Sequence, residues 1–185
     1  MRKLIYAINI TLDGCCDHTK MRGSEEMLNH YTGMLRDVDE FVYGRKTYQL
    51  MVPYWPNIAK NHAGQRTAEI DFAEAFDSKK IVVFSQSLDK AEGKNTRIVH
   101  TNVQDEILRL KQEPGKAIMA GGVALPSRLI ELGLVDEFRF VVQPILAGEG
   151  RRLLEGLRSP EKLQFKLVES NTFESGSVAL RYLKL

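Results

Sequence analysis

Short apolar runs alternate along this sequence with stretches whose apolar residues recur about every three to four positions, and few folds accommodate that alternation. Lys3 to Thr11, rich in Ile and Leu, reads as a strand followed by a turn at Leu12-Asp13-Gly14. Ser24 is placed to cap a helix in which Met27, Leu28, Tyr31, Met34 and Leu35 share one face. Phe41-Val42-Tyr43 makes a strand that ends at Gly44 and leads into a short helix around Thr47 to Met51. A helix at Thr67 to Phe76, a strand at Ile81 to Ser85, a helix at Val103 to Lys111 and a strand at Ala117 to Ala120 continue the pattern. The next helix carries Pro126 in its first turn, turns Leu125, Leu129 and Ile130 inward and stops at Gly133. Glu137 to Gln143 forms a strand, and two alternating segments around Leu163–Phe173 and Val178–Leu183 close into a hairpin through Ser175-Gly176. Strands separated by helices need crossovers, so the sheet is mainly parallel and covered on both faces, with an antiparallel C-terminal hairpin at its edge. The expected class is three-layer α/β/α, a single domain over residues 1–185, without repeat or linker.

At 185 residues, 43% hydrophobic and 27% charged, the chain can bury a core without a disulfide or a structural metal. Its 26 basic and 24 acidic residues nearly balance, which argues against the concentrated basic face of a nucleic-acid protein. No apolar run approaches the roughly 20 residues that span a bilayer. Asn9, Thr11 and Asp13 break the first apolar run before a signal-peptide core develops. The expectation is a cytoplasmic protein whose partners are small molecules. Cys15 and Cys16 are adjacent, and neighbouring cysteines rarely reach disulfide geometry. With His18 they offer too few ligands for a closed metal site, so no metal is expected.

Two segments carry a phosphate-binding logic. In Tyr43-Gly44-Arg45-Lys46-Thr47 a strand ends at glycine and a helix starts with two cations and a hydroxyl. A helix N-terminus presents free N–H groups and partial positive charge, which attract phosphate. In Met119-Ala120-Gly121-Gly122-Val123-Ala124-Leu125 a strand again delivers glycines to a helix start, where backbone without Cβ atoms can approach a ligand closely. Neither is a G-x-G-x-x-G fingerprint or a P-loop, and each alone also reads as a plain turn beside solvated cations. Asp13 is the candidate catalytic residue, to orient a substrate or a proton-carrying water, although Asp before Gly is also ordinary turn chemistry. Tyr48, Tyr54 and Trp55 suit either the wall of a heterocycle pocket or core packing.

Taken in order, these segments resemble the dihydrofolate reductase superfamily along nearly the whole chain. Ala7 with Leu12-Asp13-Gly14 resembles its first strand and loop, and Gly44-Arg45-Lys46-Thr47 its Gly-Arg-x-Thr phosphate turn. Phe84-Ser85-Gln86 resembles the strand end near the adenosine, and Gly121-Gly122 the diglycine beside nicotinamide and diphosphate. Leu134-Val135-Asp136-Glu137 and the loop Pro144 to Gly150 resemble the reductase domain of the riboflavin pathway more than true dihydrofolate reductases. No H-x-E or C-x-x-C pattern of the accompanying deaminase occurs in the sequence.

The resemblance implies a dihydrofolate-reductase-like fold, NADPH as cofactor and hydride transfer to a C=N or C=O bond of a small heterocyclic substrate, such as 5-amino-6-(5-phosphoribosylamino)uracil. The cofactor would contact Ala7, Gly14, Gly44, Arg45, Lys46, Thr47, Ser85, Gln86, Gly121, Gly122, Val123 and Ala124. It also implies a homodimer, favoured by the apolar C-terminal strands, and a cis Gly121-Gly122 peptide. The alternatives are a folate or pterin reductase and a non-catalytic NADP-binding oligomeric module. Folate chemistry requires a helix carboxylate where this sequence has Leu28, with Glu25 or Glu26 one turn away as the only substitutes.

Overall fold

The computed structural model describes residues 1–155, 157 and 162–185. The chain runs β1 (Leu4–Thr11), α1 (Glu25–Leu35), β2 (Val38–Gly44), α2 (Arg45–Lys60), α3 (Thr67–Asp77), β3 (Lys80–Phe84), β4 (Thr96–Val99), α4 (Val103–Gln112), β5 (Ala117–Ala120), α5 (Ala124–Glu131), β6 (Glu137–Gln143), β7 (Phe165–Thr172) and β8 (Val178–Lys184). The strands form one sheet in the order β4-β3-β2-β5-β1-β6-β8-β7. Pairing is parallel from β4 to β6, and β8 and β7 add antiparallel at the far edge.

Alternation along the strands divides the core into two layers. Leu4, Tyr6, Val42, Val82, Ile118 and Ala120 face α4 and α5, meeting Ile107, Leu110, Leu125 and Leu129. Ile5, Ala7, Phe41, Tyr43, Val83 and Met119 face α1, α2 and α3, meeting Leu28, Leu35, Tyr48, Phe72 and Phe76. Burial on both sides explains why these strands read as nearly unbroken apolar runs. The expected α/β/α layering with a C-terminal antiparallel hairpin is what the chain adopts.

Three local expectations change. The short helix at Thr47 to Met51 is a helix of 16 residues that contains Pro53 and Pro56. Proline removes a helical hydrogen bond, but Val52 and Ile58 are buried beyond the expected stop and hold the helix on the sheet. Strand β4 has no strong signature in its sequence Thr-Arg-Ile-Val, and its ladder to β3 supplies the order that side chains do not. Strand β2 begins at Val38, before the apolar run, because Arg2 donates to Glu40 at 2.7 Å and neutralises a carboxylate inside the strand.

Edge strand β4 is also tied to α4 by charge. Glu106 accepts hydrogen bonds from Arg109 Nε and Nη2 at 3.0 and 2.8 Å, and from Arg97 of β4. The Arg109 bonds, followed by those of Arg97, outweigh burial and hold the carboxyl down at about 2, below its ordinary 4.5. A carboxyl lowered by folding stabilises the protein fully above about pH 4.5 and loses that contribution as the pH falls towards 2. Because both arginines are half exposed, the contribution is about 1–2 kcal/mol. Glu106→Gln should cost that much at pH 7 and flatten the acid limb of urea-unfolding stability between pH 4.5 and 2. Parallel pH profiles for the two proteins would refute the assignment.

Candidate functional site

At the carboxyl edge of the sheet, β2 and β5 each feed directly into a helix. The N-caps of α2 and α5 are Gly44 and Val123, and neither side chain caps the helix. Elsewhere Ser24 Oγ accepts from Met27 N at 3.2 Å and Asn102 Oδ1 from Gln104 N at 2.8 Å, so α1 and α4 are closed. The first amides of α2 and α5 therefore remain available to an anion.

Between these helix starts lies a cleft of about 450 Å³. Gly44, Arg45, Lys46, Thr47, Ser85, Gln86, Val123 and Ala124 line it together, although they come from separate segments. Sequence reasoning missed Arg128 and Arg151, which line it too, and Val99 and Val103, which complete an apolar floor with Phe84 and Leu125. Arg128 carries no local signal beyond being a cation on a helix, and Arg151 follows a glycine loop distant in sequence. Among the described residues no carboxylate lines the cleft. Among the described residues Arg45, Lys46 and Arg151 have no ion pair, and Arg45 Nη1 donates only to Ser87 Oγ at 2.7 Å. Four cations, two open helix starts and an apolar floor suit a polyanion that carries flat rings.

Gly121, Gly122 and Ala7 do not line the cleft but back it. Tyr6 donates its hydroxyl to Gly122 O at 2.9 Å. A Cβ on Gly121 would come within 3.1 Å of the Tyr43 ring, and one on Gly122 within 2.1 Å of Thr47 Oγ1. The diglycine thus lets β5 leave the sheet between Tyr43 and the first turn of α2. The expected cis peptide is absent: the Gly121–Gly122 bond is trans. A φ of +83° at Gly122 makes the reversal with an ordinary bond, without the about 2.5–4 kcal/mol that a non-proline cis form costs.

Asp13 and Gly14 lie in the loop after β1, which is stitched to the loop after β6. Leu12 N donates to Ile145 O at 2.9 Å and Leu153 N to Gly14 O at 2.8 Å. Asp13 accepts from Thr11 Oγ1, from Ala147 N at 3.1 Å and from Gly148 N at 2.9 Å, and pairs with Arg152 at 3.1 Å. The Thr11 hydroxyl and the Ala147 and Gly148 amides hold its carboxyl well below the usual range, so it is ionised at neutral pH. Its oxygens are committed to the two loops. Glu26 is committed elsewhere, accepting from Glu174 N at 2.8 Å and Ser175 N at 3.1 Å in the β7–β8 turn, while Leu28 is buried in the core. Trp55 packs on Phe72 with centroids 4.5 Å apart, and Tyr48 donates to Glu92 O at 2.8 Å; both are packing residues outside the cleft.

Gly122→Ala places a methyl against Thr47 at a φ that L-residues avoid, which costs about 1–3 kcal/mol. Removing the opposing hydroxyl in Gly122→Ala/Thr47→Ala should recover part of that loss, so denaturant unfolding of the two single variants and the double variant should be non-additive. Strict additivity would show that Thr47 is not what excludes a side chain.

Comparison with known proteins gives this architecture a lineage. The Bacillus subtilis (strain 168) protein YyaP, itself named as uncharacterized, is 31% identical over 185 residues, covering 98% of this chain and 94% of that protein. The diaminohydroxyphosphoribosylaminopyrimidine deaminase/5-amino-6-(5-phosphoribosylamino)uracil reductase of Thermotoga maritima superposes with a TM-score of 0.70 at 15% identity, over all of this chain and 57% of that one. Dihydrofolate reductase from Enterococcus faecalis, in a complex with NADP(H), superposes with a TM-score of 0.66 at 12% identity, over 98% and 96% of the two chains. At these identities the two solved structures show a shared, dihydrofolate-reductase-like fold. The RibD C-terminal domain family matches residues 2–179, so nearly the whole length takes part, and the chain belongs to that family.

Proposed function

We propose that this chain is an NADPH-dependent reductase that acts on a small phosphorylated heterocycle, with 5-amino-6-(5-phosphoribosylamino)uracil as the leading candidate. The cleft carries the reading, since it joins two uncapped helix starts to four cations with no carboxylate among its described lining residues. When bound, NADPH supplies the hydride for a C=N or C=O bond. Arg45 and Lys46, beside Ser85 and Gln86, neutralise a phosphomonoester, while the amides of Thr47, Val123 and Ala124 serve the diphosphate. Phe84, Val99 and Val103 offer an apolar bed to a flat base. Ala7, Gly14, Gly121 and Gly122 form the wall towards β1 against which the reacting end is held, and Asp13 orients that wall rather than delivering a proton.

A folate or pterin reductase is disfavoured because Leu28 is apolar and Glu26 is tied to the β7–β8 turn. Nicotinamide absorbance should fall when the protein and NADPH meet the ribosylaminopyrimidine and stay constant with dihydrofolate. Binding without oxidation by either would leave a non-catalytic NADP-binding module. Arg45→Ala/Lys46→Ala should weaken NADPH at least about tenfold more than NADH. Equal weakening of both cofactors would remove the assignment of the 2′-phosphate to this pair.

The same reading makes residues 1–185 one cytoplasmic domain that works as a homodimer. Edge strand β7 is exposed along its length, with Phe165, Leu167 and Val168 uncovered, and such an edge invites a second copy. Sedimentation at micromolar concentration should give a two-fold dimer. A monomer across that range would rule it out.

A further inference from the structure

The cleft's cations reach it from both sides of β5. Arg45 and Lys46 follow β2, whereas Arg151 arrives from the loop after β6, beyond β1 in the sheet order. The backbone of that loop is fixed on both sides of Arg151. Cys16 N donates to Arg151 O at 2.8 Å, Cys15 and Arg152 form an isolated antiparallel bridge, and Leu153 N donates to Gly14 O. Neighbouring arginines then take opposite tasks. Arg152 turns back onto Asp13, pairing with its carboxylate and donating to its carbonyl oxygen, and Arg151 lines the cleft with no carboxylate partner among the described residues. Burial pushes the Tyr6 phenol well up, Cys16 and Tyr31 add to this, and the Arg151 guanidinium opposes it. Arg151 therefore enters the cleft from the side of the loop after β1, to which Cys16 N ties its carbonyl oxygen.

We propose that Arg151 binds a phosphate ester at the β1 end of the cleft, and that Asp13, through Arg152 and the amides of Ala147 and Gly148, is the positioning residue that aims it. This rests on the reductase reading only for what the phosphate belongs to. A cofactor diphosphate and the phosphate of a phosphorylated sugar substrate present the same chemistry, a tetrahedral oxyanion suited to a guanidinium fork.

The test is calorimetric titration of the full chain with three probes: inorganic pyrophosphate, NADPH, and ribose 5-phosphate in the presence of NADPH. Arg151→Gln should weaken at least one of them about tenfold or more, and Arg151→Lys should recover part of the loss. Asp13→Asn should reproduce the deficit, with no further loss in the double variant. A loss confined to pyrophosphate and NADPH assigns the group to the cofactor, and one confined to ribose 5-phosphate assigns it to the substrate. Arg151-dependent pyrophosphate binding by a protein that does not bind NADPH would keep the anion site and discard the cofactor reading. Wild-type affinity for every probe in Arg151→Gln, or no binding of any probe by the wild type, would overturn the site. Asp13→Asn that melts earlier yet binds phosphate normally would overturn the positioning role.

Discussion

Because β1, β2, β3 and β5 are covered by helices on both faces, a ligand can meet them only where they end. That constraint organises the molecule. Every parallel strand must hand its chain to a loop or helix at the same carboxyl edge, and α2 and α5 start there almost without a loop. The positive ends of their backbone dipoles gather at one place as a consequence of sheet topology, before any side chain is considered.

Side-chain charge is then distributed unevenly. At the opposite edge and along the flanks, cations are neutralised within the protein: Arg2 with Glu40, Lys111 with Asp136, Arg97 and Arg109 with Glu106, and Arg139 and Arg181 with Glu137. In the cleft Arg45, Lys46 and Arg151 have no carboxylate beside them among the described residues. A near-neutral chain therefore holds a local positive field, focused by the apolar walls of Phe84, Val99 and Leu125. Cations left without a carboxylate partner among the described residues make the cleft electrostatically suited to an anion.

The loops after β1 and β6 are bonded to each other, and the second of them brings Arg151 to the cleft. Asp13 at their junction accepts from both loops at once, and its ionised state is a consequence of that role. The sequence left Asp13 open between chemistry and turn geometry, and the structure shows the turn bonds it makes.

Much of this was legible in the residues. The alternation of apolar runs and helical periods determined the layers, because two-sided burial demands apolar strands. Gly44 to Thr47 and Gly121 to Ala124 announced helix starts at strand ends, where the first amides are left free, and at Gly122 the positive φ requires glycine. What lay beyond reach depended on distance along the chain. Strand β4 exists through its partner, Pro53 and Pro56 sit in a helix that buried neighbours hold, and Gly122 turns at positive φ after a trans Gly121–Gly122 bond. Arg128 and Arg151 joined the site only when the sheet order brought β2, β5 and the loop after β6 to one edge. Local sequence determines backbone preference and periodicity, whereas which charges remain unpaired, and towards what they point, is settled by contacts between segments more than a hundred residues apart.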